Sequence, residues 1–134
     1  MTKEQIKSIY GRTIGKNAFW AINKHLTRLI ELEPTQLLQH LIDLDNLEAF
    51  KDLDWIYQQY HRIAEDLCCS EKKVQKNMKI LKDLELIQIE FRGQPAKNYY
   101  KIHYINIHKI MESSSLTDFV LARDSIFGAA YTNT

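Results

Sequence analysis

The fold of this chain is decided by residues 62–102, which read RIAEDLCCSEKKVQKNMKILKDLELIQIEFRGQPAKNYYKI. The pattern predicts a short helix ending near Leu67, a turn, and a second helix that begins after Ser70, a favoured N-cap residue. Glu71 in the first turn complements the dipole of this second helix. At about 100° per residue, one face of the second helix is apolar. Its members are Val74, Met78 and Leu81.

The opposite face of the second helix is polar and basic. It carries Lys72, Gln75, Lys76 and Lys79, with Lys73 and Lys82 on the flanks. A helix that reads DNA needs one apolar face for packing and one face of hydrogen-bond donors for phosphates and base edges. A lysine face that is only solvated has the same periodicity, so the helix by itself leaves both interpretations open.

A β-hairpin is predicted after the second helix. The arms Leu86–Phe91 and Tyr99–Ile102 alternate and are rich in β-branched and aromatic residues, and the connection contains Gly93 and Pro95. This connection is expected to expose four side chains, with no acid among them: Arg92, Gln94, Lys97 and Asn98. Such a loop suits contacts with phosphates or with a minor groove. Helix, turn, helix and hairpin in this order predict a winged helix-turn-helix, mainly α with a small β-hairpin wing (α+β).

The helix face and the wing together favour double-stranded DNA as the partner. The net charge of +1 over 134 residues conceals a basic block (1–30, net +5), an acidic block (31–60, net −6) and a second basic block (61–101, net +3). Local fields of this kind attract a polyanion more than the total charge does. The predicted DNA-binding residues are Ser70, Lys72, Lys73, Gln75, Lys76, Lys79, Arg92, Gln94, Lys97 and Asn98.

Catalytic and metal-binding patterns are lacking in the sequence. The four glycines are scattered and form no phosphate-binding loop. Adjacent Cys68 and Cys69 are poor disulfide partners for each other and do not have a zinc-site spacing. We expect no enzymatic activity, no cofactor and no metal. Apolar runs fall short of the roughly 20 residues that span a bilayer, and the N-terminus lacks a signal-peptide core, so a cytoplasmic location and no membrane partner are expected.

The segment 55–102 resembles the winged-helix domain of replication initiators and replisome-organising proteins of phages and plasmids in low-GC Gram-positive bacteria. The resemblance implies a protein of a phage or mobile element that binds double-stranded DNA in transcription regulation or as a small replication factor. Family members continue into a larger C-terminal domain, so origin melting and helicase loading are not carried over. The matching features are the Trp55-Ile56-Tyr57 strand, Ile63-Ala64-x-x-Leu67, Ser70, the Leu81-x-x-Leu84-x-Leu86-Ile87 exit, and the Gly93-x-Pro95-Ala96-Lys97 wing closed by Tyr99–Ile102.

Two residues depart from the pattern of that family. Cys68 and Glu85 stand at turn positions where such motifs usually carry glycine. Both departures predict distorted or tighter turns at the ends of the two helices.

The rest of the chain is divided into an N-terminal arm (1–18), the winged helix-turn-helix domain (19–112) and a C-terminal tail (113–134). The arm is predicted to be helical over Lys3–Tyr10 and to break at Gly11 and Gly15. A core helix is predicted from Pro34 to Leu44. The tail has an amphipathic, helix-compatible stretch from Leu116 to Phe127, which packs back on the domain or joins a dimer interface; the sequence does not rank these alternatives.

A second function remains open at this point. The winged helix could be a protein-interaction module that binds or inhibits a host protein complex. Its working surface would be the acidic segment 31–54 with Leu47, Phe50 and Trp55, three large side chains that look exposed. A homodimer and replication or host proteins also stay open as partners.

Overall fold

The computed structural model describes residues 1–14, 21–50 and 52–121. The helices in these residues include α1 (Lys3–Ile14), α2 (Lys24–Ile30), α3 (Leu32–Asp45), a short 3-10 helix (Glu48–Phe50), α4 (Tyr60–Leu67), α5 (Glu71–Asp83) and α6 (Tyr104–Glu112). Residues 116–121 are helical as well. The strands are β1 (Ile56–Tyr57), β2 (Ile87–Arg92) and β3 (Lys97–Ile102).

The three strands form one antiparallel sheet in the order β1-β3-β2. Tyr100 of the central strand lies opposite Ile56 on one side and Ile89 on the other. Its side chain is fully buried, and its hydroxyl donates to the Gln58 carbonyl at 3.1 Å. Helices α4 and α5 precede the β2–β3 hairpin, and β1 adds the third strand. This is the predicted winged helix-turn-helix, mainly α with a small sheet.

Helix α3 forms the centre of the core. Leu37, Leu38 and Leu41 are at most 1% exposed, and α3 packs against α2, α4 and α5. The predicted core helix is therefore confirmed, although it begins two residues earlier than expected, at Leu32. Pro34 lies in its first turn, where its missing N–H costs no intrahelical hydrogen bond.

Helix α1 differs from its prediction. It continues through Gly11 to Ile14 instead of breaking at that glycine. A single glycine inside a helix costs only about 1 kcal/mol relative to alanine, which is too little to end a helix by itself. The predicted break at Gly15 lies outside the described residues.

The segment after α6 packs back on the domain over the part that is described. Ser113 ends α6 in an extended conformation, and its carbonyl accepts a hydrogen bond of 2.9 Å from His25 Nε2. Phe119 is fully buried in the core, and Val120 packs against it. Of the two placements that the sequence left open, the structure shows the first for these residues, whereas Ile126 and Phe127 lie outside the described range.

The two positions where glycine was expected do have glycine-like backbones. Cys68 has φ 55° and Glu85 has φ 60°, both in the left-handed region. The amide after each residue donates back to the end of its helix, Cys69 N to Ala64 O and Leu86 N to Leu81 O, both at 3.0 Å. These are the bonds of a Schellman C-cap, in which glycine is the usual residue because it lacks a Cβ.

Candidate nucleic-acid interface

The position of α5 is set by its cap and by its apolar face. The Ser70 hydroxyl accepts a hydrogen bond of 3.3 Å from the Lys73 amide and so begins the helix as predicted. Val74, Met78 and Leu81 are at most 1% exposed and face α3 and α4. Burial of these three side chains turns the opposite face of α5 to solvent.

The side chains on that opposite face are all exposed. They are Lys72, Gln75, Lys76 and Lys79. With a rise of 1.5 Å per residue, they span about 10 Å along the helix axis, so several can reach one groove together. Asn77 is only 5% exposed and lies on the buried side, away from this face. We call the four exposed residues the α5 outer face.

Lys73 occupies a different environment from the other predicted lysines. Its Nζ lies 3.2 Å from Glu33 Oε1 on α3, and Asn77 Nδ2 donates to Glu33 Oε2 at 3.4 Å. The hydrogen bond from Lys73, followed by that from Asn77, lowers the pKa of Glu33 below its ordinary value. The charge of Lys73 is thus already compensated within the chain, and this side chain ties α5 to α3.

The wing loop is shorter than predicted. The strands stay paired as far as Arg92 and Lys97, which face each other across the hairpin, so the loop is confined to residues 93–96. Arg92, Lys97 and Asn98 belong to strands, and only Gln94 of the four predicted loop residues lies in the loop, where it is exposed. The prediction that all four project from a loop was wrong, because the strand pairing continues through Phe91–Asn98 and Arg92–Lys97 and leaves a turn of four residues.

Arg92 and Lys97 lie against aromatic rings of the sheet and of Trp55. The Arg92 guanidinium lies 4.4 Å from the ring centroid of Tyr99 and 5.1 Å from that of Trp55. Lys97 Nζ lies 4.7 Å from the ring centroid of Tyr57. Cation–π contacts of this kind are worth about 0.5–1 kcal/mol at exposed sites. Arg92 and Lys97 are therefore held on the sheet, while Asn98 points to its other face.

Phe91 is a site candidate that the sequence did not single out. Its ring is 69% exposed, although it lies on the same side of β2 as the core residues Ile87 and Ile89. It borders an open cleft between the wing and the start of α4, which is also lined by Tyr60 and Asn98. The sequence signal that could have identified Phe91 is the alternation of apolar residues along β2, which continues to Phe91 at the end of the strand next to the loop.

The three large side chains considered for a protein partner differ in exposure. Leu47 is 51% exposed, as expected, but Phe50 is half-buried against the core. Trp55 is half-buried and lies beneath Arg92. Of the three side chains that looked exposed in the sequence, one is exposed in the structure.

The described residues contain no cluster of three or more His, Cys, Asp or Glu side chains placed to hold a metal ion. Among the helices of the same residues, none is sufficiently long and apolar to cross a membrane.

Comparison with known proteins gives one structural likeness. No protein-family model and no curated protein matches the chain. Among solved structures, it is similar to one described as the N-terminal domain of a DNA-binding protein, with a TM-score of 0.51 and 19% sequence identity. The match covers 75% of this chain and 92% of that chain. At this level of identity, the likeness concerns the fold.

Proposed function

We propose that this chain binds double-stranded DNA, with the α5 outer face in the major groove. The observation that carries the proposal is the division of α5 into a buried apolar face and an exposed face of three lysines and one glutamine. The structural neighbour supports it, because that protein is described as DNA-binding and shares the fold.

The residues of the α5 outer face would contact two different parts of the DNA, the phosphates and the base edges. Lys72, Lys76 and Lys79 suit phosphate oxygens, since each presents a flexible cation to solvent. Gln75 lies among them and can form two hydrogen bonds with an adenine edge in the major groove. In the wing, Gln94 is free to approach the DNA backbone, and Phe91 offers an apolar wedge of the kind that minor-groove proteins insert.

The broader role is proposed from the family resemblance of residues 55–102. We propose a non-catalytic, cytoplasmic protein of a phage or mobile element, acting as a transcriptional regulator or a small replication factor. Neighbouring genes distinguish these roles: a divergent promoter next to the gene supports a regulator, and a helicase-loader gene supports a replication factor. If the chain is a homodimer, its DNA site should be two-fold symmetric, and measurement of the mass in solution tests that premise.

Charge reversal on α5 tests the proposal. The variant Lys76→Glu/Lys79→Glu should abolish binding to a labelled random duplex in fluorescence anisotropy at physiological salt. The matched control is Lys3→Glu/Lys7→Glu on α1, which changes the net charge by the same amount at exposed positions. Unchanged duplex affinity of the α5 variant would refute the proposal, and equal losses in both variants would show that only the total charge matters.

The ion pair with Glu33 allows a sharper test within the same helix. For each phosphate that the protein no longer neutralises, the slope of log K against log salt concentration should become shallower by about one. Lys76→Gln should make the slope shallower by about one. Lys73→Gln should change the slope by less, because Lys73 is already paired with Glu33. Identical slopes for the two single variants would contradict this assignment. An absence of duplex binding by the unmodified chain would favour a protein partner.

A further inference from the structure

The outer face of the sheet carries a set of aromatic and basic side chains that is separate from the α5 outer face. Because side chains alternate along strands, Tyr57, Tyr99 and Glu90 lie side by side on the surface turned away from the core. Arg92 and Lys97 form the next cross-strand pair on this surface, and Trp55 lies beside it, under Arg92. We call this surface the sheet platform, formed by Trp55, Tyr57, Glu90, Arg92, Lys97, Tyr99 and Lys101.

Rings and cations are interleaved on the sheet platform. The ring centroids of Tyr57 and Tyr99 are 5.7 Å apart. Each cation lies within 6 Å of at least one ring centroid: Arg92 above Tyr99 and Trp55, Lys97 above Tyr57, and Lys101 at 5.9 Å from Trp55. Stacking surfaces and positive charges therefore recur at a spacing within the reach of one nucleotide.

The charge of the sheet platform fits a phosphate backbone. The described residues of the sheet platform include three cations and one carboxylate, that of Glu90. Glu90 Oε1 lies 3.9 Å from Arg92 Nη1. The Arg92 side chain keeps 42% of its surface exposed, so it remains accessible to a nucleic-acid ligand. Unpaired bases stack on aromatic rings and on arginine planes, and the adjacent phosphates pair with cations.

We propose that the sheet platform binds single-stranded nucleic acid, with bases stacked on Trp55, Tyr57 and Tyr99 and phosphates paired with Arg92, Lys97 and Lys101. A duplex fits this surface less well, because its bases are stacked on one another and offer only their edges in the grooves. A base takes the position over a ring that a cation occupies in the free protein, and the displaced cation then meets the phosphate. This site is independent of the proposed duplex-binding face on α5.

The first test is the fluorescence of Trp55. The chain has two tryptophans, so Trp20→Phe leaves Trp55 as the reporter. Addition of an oligothymidylate about 15 nucleotides long should quench its emission in a saturable manner, since stacked bases quench indole and sites of this class cover about 4–16 nucleotides. No quenching at concentrations where anisotropy shows the labelled oligonucleotide to be bound would overturn the proposal. No binding of the oligonucleotide at all would overturn it as well.

The second test removes single rings. Tyr57→Leu and Tyr99→Leu should each weaken binding of labelled oligothymidylate by between about fivefold and a hundredfold, the range expected when one ring no longer stacks on a base. Tyr104→Leu is the matched control, because Tyr104 is 47% exposed on α6 and away from the sheet platform. Circular dichroism identifies a variant that fails to fold, in which case the other ring variant and the quenching of Trp55 decide the result.

Duplex binding separates this proposal from the preceding one. The ring variants should leave affinity for duplex unchanged, and Lys76→Gln/Lys79→Gln should weaken duplex binding while leaving oligothymidylate binding unchanged. If the ring variants weaken duplex and single strand equally, the surface is part of the duplex interface and the proposal is wrong. An oligouridylate arm distinguishes the source: binding of either strand supports the proposal, and the tighter one identifies DNA or RNA as the natural ligand.

Discussion

Replacing Cys68 by glycine should make this protein more stable, although the change removes a side chain. Cys68 has φ 55° and ψ 44° at the end of α4 and is exposed, so removal of its thiol sacrifices little packing. A left-handed backbone costs a non-glycine residue about 1–2 kcal/mol. Glycine avoids this cost but loses about 0.5–1 kcal/mol through its greater freedom in the unfolded chain. The difference between these two ranges is a gain of about 0–1.5 kcal/mol in the free energy of unfolding, and about 0.75 kcal/mol at their midpoints.

Urea unfolding under reducing conditions measures this gain. With a slope of about 1.5 kcal/mol/M, the midpoint for Cys68→Gly should rise by about 0.5 M, and by at most about 1 M. The control is Cys68→Ala, which removes the thiol and keeps the Cβ that causes the strain, and it should show no comparable rise. A Cys68→Gly protein no more stable than Cys68→Ala would refute the reasoning, because the strain of the left-handed backbone would then not exceed the entropy cost of glycine at this position.

Two further predictions concern polar contacts that join helices. Asn106→Ala should lower the free energy of unfolding by about 1–3 kcal/mol in the same assay, because the buried Asn106 Nδ2 donates to the Glu85 carbonyl at 2.7 Å; a loss no larger than that of an exposed-site alanine variant would contradict it. The free energy of unfolding should also fall in acid, because Lys73 and Asn77 lower the pKa of Glu33 below 4.5 in the folded protein. The stabilisation from the ionised Glu33 is complete above about pH 4.5 and is lost as the pH falls through the pKa of Glu33 in the folded state. Glu33→Gln should flatten this decline in urea midpoints measured against pH, and a decline identical to that of the unmodified chain would count against the ion pair.

Local chemistry made α5 predictable. The cap at Ser70 and the apolar stripe of Val74, Met78 and Leu81 are signals within a few residues of one another, and both are confirmed in the structure. The exposed side chains of the α5 outer face followed from the same periodicity. At Cys68 a distorted or tighter turn was predicted, whereas the structure has a regular Schellman turn with a non-glycine residue in its left-handed position.

Long-range contacts explain what the sequence did not predict. The guanidinium of Arg92 lies 5.1 Å from the ring centroid of Trp55, which stands far earlier in the sequence, and no pattern around Arg92 predicts this contact. Lys73 looked like any other lysine of α5, and its partner Glu33 precedes it by 40 residues. Periodicity describes which face of one element is apolar, but it does not identify the residue that a neighbouring element brings to that face.

The contacts between Glu33 and α5 also suggest a way in which the DNA sequence preferred by such a protein can change. Glu33 contacts Lys73 and Asn77 on consecutive turns of α5, so it helps to fix the rotation of that helix about its own axis. Under the DNA-binding proposal, a substitution at position 33 would alter the angle at which Gln75 meets a base edge. Selection could then shift the preferred target sequence through α3, with every side chain that faces DNA left as it is.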